Sequence, residues 1–125
     1  MPIADQQFVV LKNYYPLAEL RTLPSGAYLI TLPNFPLPQG WSQPQTTLFF
    51  VAPLGYPLAK PDCFWADRNL RLSQGGMPQA ANITPIPEIN QPQLWFSWHT
   101  EHWNPNRDNL LTYLRVIEGR FKKPQ

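Results

Sequence analysis

Apolar and polar positions along the chain fall into two different periods. Between Asp5 and Tyr15, Phe8, Leu11 and Tyr15 recur at helical spacing, with Asp5 available as a cap and Pro16 as a stop. This predicts a short helix, although the β-branched pair Val9 and Val10 also suits a strand. Three apolar runs follow, Ala18 to Leu23, Ala27 to Leu32 and Thr46 to Val51, separated by Pro24-Ser25-Gly26 and by a proline-rich connection from Pro33 to Pro44. They read as antiparallel strands, the first two close enough for a hairpin. Beyond Pro53-Leu54-Gly55-Tyr56-Pro57, Asp62 to Ala66 reads as a fourth strand that contains Cys63, Phe64 and Trp65. Successive strands joined this way usually lie side by side, which predicts a four-stranded meander.

From Asp67 to Gln93 neither period is sustained, and Gly75-Gly76, Pro78, Pro85, Pro87 and Pro92 interrupt every candidate element. A long irregular loop is predicted, of the kind that wraps a functional face or is mobile. Near the end, Leu110, Leu111, Leu114, Ile117 and Phe121 form an apolar stripe on a helix from about Arg107 to Arg120. Asn106 or Asp108 can cap it, with Pro105 just outside. The predicted class is α+β.

Composition narrows this picture. The 125 residues suit one domain spanning 1–125, and 43% hydrophobic with only 14% charged residues favours a packed core over disorder. Sixteen prolines against six glycines demand short elements joined by stiffened connections. No run of about eighteen apolar residues is present, and the first residues lack the basic-then-apolar order of a secretory signal, so a cytoplasmic protein without membrane contact is expected. The single cysteine, Cys63, excludes an internal disulfide and a cysteine-rich zinc site. A net charge of +2 is dispersed except at Arg68 with Arg71 and at Arg120, Lys122 and Lys123. Stacking of single-stranded nucleic acid on exposed tryptophans would need a basic groove as well, so no nucleic-acid partner is expected.

Two segments carry a family resemblance. Tyr56-Pro57-Leu58-Ala59-Lys60-Pro61-Asp62-Cys63-Phe64-Trp65 resembles the signature that ends the meander of ubiquitin-conjugating enzymes. Trp103-Asn104-Pro105, leading into Asp108-Asn109-Leu110, resembles the tryptophan-x-proline that opens the helix after their active site. The details Pro61-Asp62-x-Phe64-Trp65, Trp98-His99 and Trp103 are similar to the bacterial branch of that superfamily called family E, and the likeness covers about residues 5 to 121. It implies a conjugating transferase. Such an enzyme would receive a ubiquitin-like protein from an activating enzyme and pass it to an amine of a target protein, and it would need no cofactor of its own. No glycine-rich phosphate loop is present, consistent with ATP being used by the activating enzyme. The same resemblance fits a non-catalytic module that only docks a ubiquitin-like protein or its activating enzyme.

The resemblance places the nucleophile a few residues before the tryptophan-x-proline, where this chain reads Leu94-Trp95-Phe96-Ser97-Trp98-His99 and has no cysteine. Asp67-Arg68-Asn69 is a loose substitute for the usual His-Pro-Asn. Ser97 is the attacking atom left in the window, and a serine needs a base. If residues 95–101 are extended, Ser97, His99 and Glu101 project from one face as nucleophile, base and orienting carboxylate, and the acyl intermediate would be an oxyester. Cys63 is the alternative nucleophile, a better acyl acceptor by chemistry but expected to be a small buried residue of the last strand. His99 and His102 lack a clear third zinc ligand, so no metal is expected. Tyr56, Pro57 and Pro61 are expected to shape the crossover.

Overall fold

A computed structural model describes residues 3–100 and 102–125. Helix α1 spans Ile3–Tyr14 and buries Ala4, Phe8 and Leu11, so the helical period wins over the β-branched pair, whose side chains face outward. Strands β1 (Glu19–Thr22), β2 (Tyr28–Pro36), β3 (Gln45–Ala52) and β4 (Phe64–Ala66) are sequential antiparallel neighbours. Strand β2 runs further than expected, into the proline-rich connection. Its register shifts between Leu32 and Phe35, with Asn34 in the left-handed region at φ 58°, a conformation asparagine tolerates better than most residues. β1 pairs with β2 only as far as Thr31, so Pro33 and Pro36 sit where no β1 carbonyl awaits an N–H.

The irregular loop predicted from Asp67 to Gln93 is the main correction. Much of it folds as an antiparallel hairpin, β5 (Ala81–Ile86) with β6 (Gln91–Phe96), and the sheet therefore has six strands rather than four, in the order β1-β2-β3-β4-β6-β5. The prolines that read as breakers are harmless here. Pro85 lies on the edge strand, and Pro92 lies beyond the Leu94-to-Phe96 stretch that pairs with β4, so neither leaves a ladder bond unmade on that side. The tip of the hairpin is tied to the β1–β2 turn, where the Glu88 carboxylate accepts both the amide and the hydroxyl of Ser25 at 2.8 Å.

Helix α2 spans Leu110–Phe121 and is capped by Asn109 rather than by Asn106 or Asp108. The Asn109 side chain accepts the Thr112 amide while the Thr112 hydroxyl accepts the Asn109 amide, a reciprocal box that satisfies two otherwise unpaired donors. Asp108 is occupied instead with the Asn104 amide, at 2.7 Å. The Gln7 side-chain oxygen accepts the Leu110 amide at 3.1 Å and the Tyr56 hydroxyl, joining α1, the start of α2 and the crossover before β4.

Strand alternation sorts the core into two layers. Ile30, Leu32, Leu48, Phe50, Phe64 and Phe96 pack with Phe8 and Leu11 of α1 and with Leu110, Leu114, Ile117 and Phe121 of α2. Leu111, expected in the same stripe, is only partly buried. On the other face Leu29, Trp65 and Ile86 form a smaller cluster with Phe49, Val51 and Trp95. Because Leu114 is fully buried, Leu114→Ala should lower the unfolding free energy by about 2–5 kcal/mol. Urea denaturation monitored by tryptophan fluorescence checks this, and a loss under about 0.5 kcal/mol, the size of a surface effect, would contradict the packing.

Candidate active site

The site begins with strand register. Phe64 pairs with Phe96, and their rings stack at 4.7 Å with 9° between planes, while Phe121 of α2 meets both edge-on. In an antiparallel pair so fixed, the residues before Phe64 lie alongside those after Phe96. Asp62 and Cys63 are thus brought beside the 97–100 stretch, more than thirty residues away in sequence.

Cys63 does not lie within β4, as the sequence suggested, but immediately before it, at φ 64°. A side chain in this left-handed region costs on the order of 1–3 kcal/mol and persists only where its surroundings hold it. Two hydrogen bonds do so. The Cys63 amide donates to the Trp98 carbonyl at 3.1 Å, and the hydroxyl of fully buried Tyr113 on α2 donates to the Cys63 carbonyl at 2.7 Å. Trp98 is held in turn by Arg120, whose guanidinium lies 5.6 Å from the centre of its ring and also faces Trp41 and Phe96. That buried guanidinium donates to the carbonyls of Gln79 and Lys123, so the charge is hydrogen-bonded by backbone.

Three reactive side chains meet at this point. The Nδ1 of His99 pairs with an Asp62 carboxylate oxygen, both side chains being about half exposed. The Sγ of Cys63 lies within 4.8 Å of a carboxylate oxygen of Asp62 and of a ring nitrogen of His99. Burial raises the thiol pKa, and the neighbouring Asp62 charge raises it further, against the opposing hydrogen bonds from the Trp95 side chain and the Trp98 backbone. The thiol is therefore protonated at neutral pH and needs a base to become a nucleophile. The pairing with Asp62 uses Nδ1 of His99 and leaves the other ring nitrogen outside that contact.

The remaining predicted residues are distributed as follows. β6 ends at Phe96, and the Trp98 amide donates to the Phe96 carbonyl at 3.0 Å, so the chain turns at Ser97 instead of continuing extended. The Ser97 amide goes to the Ala80 carbonyl, and His99 faces Asp62. Glu101 lies outside the described residues. His102 is exposed, with its carbonyl taken by the Thr100 hydroxyl, and it is not part of the Asp62 cluster. Asp67-Arg68-Asn69 follows the far end of β4 from Cys63 and lines a polar cleft with Thr47, Gln91 and Gln93. The crossover residues are tied down, since the Pro57 carbonyl accepts the Trp103 indole N–H at 2.8 Å and the Lys60 ammonium reaches the Thr100 carbonyl at 2.7 Å. Asp62 is the member of this cluster that the sequence pattern alone does not single out. Its signal was its place in Pro61-Asp62-x-Phe64-Trp65, since that motif and Trp98-His99 meet through the sheet.

Among the described residues the fold is α+β, two helices packed on an antiparallel six-stranded sheet, with these two motifs side by side. The sequence profile of Prokaryotic E2 family E matches residues 2–124, and the chain belongs to that family. No curated protein and no solved structure matches it significantly. Membership connects the protein in general terms with ubiquitin-like conjugation, its ubiquitin-like proteins and its activating enzymes. Among the described residues no helix is long and apolar enough to cross a membrane.

The raised thiol pKa has a measurable consequence. At pH 7 Cys63 should react with iodoacetamide more slowly than the cysteine of an unstructured peptide, and the rate should climb as pH rises toward the thiol pKa. Asp62→Asn removes the charge that disfavours the thiolate, so its alkylation at pH 7 should be faster than that of wild type. Rates followed by intact mass across pH check both signs, and alkylation at pH 7 as fast as the free peptide would contradict the electrostatics.

Proposed function

We propose that this protein is a conjugating transferase for a ubiquitin-like protein, with Cys63 as acyl acceptor, His99 as its base and Asp62 as the group that orients His99. The observation that carries this reading is the convergence of the three side chains at a backbone position held under strain by Tyr113 and Trp98. Transfer conserves atoms without a cofactor. His99 takes the thiol proton as Sγ attacks the acyl carbon held as a thioester on the activating enzyme, whose sulfur leaves with a proton. His99 hands that proton to the departing sulfur and is neutral again; when an amine of the target attacks the Cys63 thioester to form the amide, His99 takes the amine proton and returns it to the Cys63 sulfur as it leaves.

Two other readings share the same family and fold. In one, Ser97 accepts the acyl group as an oxyester, with His99 and Glu101 assisting. In the other, the protein only docks the ubiquitin-like protein or its activating enzyme, which the protonated resting thiol and the absence of a cysteine in the window before Trp103 favour.

Incubation with the cognate activating enzyme, ubiquitin-like protein and ATP separates the three. A covalent adduct should form, be cleaved by thiol reductant, be absent from Cys63→Ala and persist in Ser97→Ala. His99→Ala should slow its formation by roughly a hundredfold or more. An adduct that survives reductant, yields to hydroxylamine and disappears in Ser97→Ala would move the acceptor to serine. Binding without any adduct would identify the docking module.

A further inference from the structure

The cluster at the Cys63 position offers a sulfur, an imidazole nitrogen and a carboxylate oxygen, all within 4.8 Å of one another. This is a mixed donor set of the kind Zn²⁺ accepts, whereas the all-oxygen shell required by Ca²⁺ and Mg²⁺ is missing from it. Ligands around a tetrahedral zinc ion, with bonds of about 2.0–2.3 Å, stand roughly 3.2–3.6 Å apart. The sulfur therefore needs to close on its two partners by no more than roughly 1.2–1.6 Å while the hydrogen-bonded His99 and Asp62 atoms move apart, and torsions of the Asp62 and His99 side chains can supply both movements because both are half exposed. Cys63 needs no such freedom, since its backbone is already clamped by Tyr113 and Trp98.

We propose that Asp62, Cys63 and His99 form a Zn²⁺ site with three protein ligands and a fourth position open to water or another small donor. Metal entry displaces the thiol proton to solvent, replaces the His99–Asp62 hydrogen bond by two metal–ligand bonds and leaves the sulfur as a coordinated thiolate. The bound ion covers the same sulfur that would accept an acyl group, so zinc and acyl transfer exclude each other and the metal acts as a reversible cap. Zinc binding stands on these three atoms alone and does not depend on the transfer reading; only the mutual exclusion does.

Metal binding to the purified, tag-free protein tests the site without any conjugation partner. Titration with Zn²⁺ against a chromophoric chelator should give one equivalent bound, and Co²⁺ should produce the near-ultraviolet charge-transfer band of a thiolate–metal bond. Cys63→Ser should abolish the band, and His99→Ala should weaken binding roughly tenfold or more by removing one of three ligands. His99 is exposed, so its replacement is compatible with folding, and His102→Ala should bind as wild type. Absence of the cobalt band, wild-type affinity in His99→Ala, or loss of binding in His102→Ala in place of His99→Ala would each overturn the assignment. A cobalt band accompanied by no acyl adduct would retain the metal site while removing the transfer function.

Discussion

The clamp on the Cys63 backbone is the constraint on which the site depends. A left-handed residue just before a three-residue strand has little local reason to stay there. It is held by a hydroxyl from α2 on one side and by the carbonyl of Trp98 on the other. Both partners are themselves fixed by the core, Tyr113 by complete burial and ring contact with Phe50, Trp98 by the Arg120 guanidinium. Burial pushes the Tyr113 hydroxyl far above the usual phenol pKa, so it remains a proton donor over the whole range in which the fold operates. The Cys63 backbone is thus anchored through two hydrogen bonds to groups held by the packed core.

The periodic parts of the fold were legible because their burial repeats their pattern. α2 announced itself by Leu110, Leu114, Ile117 and Phe121, and β3 by an alternation that carries Leu48 and Phe50 to one face and Phe49 and Val51 to the other. The β5–β6 hairpin was hidden for the opposite reason. Its prolines are permitted by edge position and by the shortness of β4, and its turn uses Glu88 and Asn90 at positive φ where glycine would have been the local signal. Neither circumstance can be read before the neighbouring strands are placed. The end of β6 was hidden as well, since the tight turn at Ser97 is stabilised by hydrogen bonds to Ala80 and across Trp98 rather than by a glycine or proline.

The candidate site was half legible. His99 and Cys63 stood out as the imidazole and the only thiol, yet nothing local joins residues 36 positions apart in the chain. What joins them is the Phe64–Phe96 register, a consequence of the hairpin that the pattern did not disclose. Asp62 followed the same logic: within its motif it reads as a polar residue before a strand, and only the folded sheet turns it toward His99.

Ser97 and Cys63 differ in what the fold does for each. The clamp acts on Cys63, and His99 is oriented by the residue next to it; Ser97 occupies the turn that lets this happen. The proposed transfer therefore has its acyl group on Cys63. Its most direct test is peptide mapping of the adduct formed with the activating enzyme, ubiquitin-like protein and ATP, digested at mildly acidic pH without reductant so that a thioester survives. The expected result is the C-terminal remnant of the ubiquitin-like protein on the peptide containing Cys63, and a remnant on the peptide containing Ser97 would contradict an acyl group on Cys63.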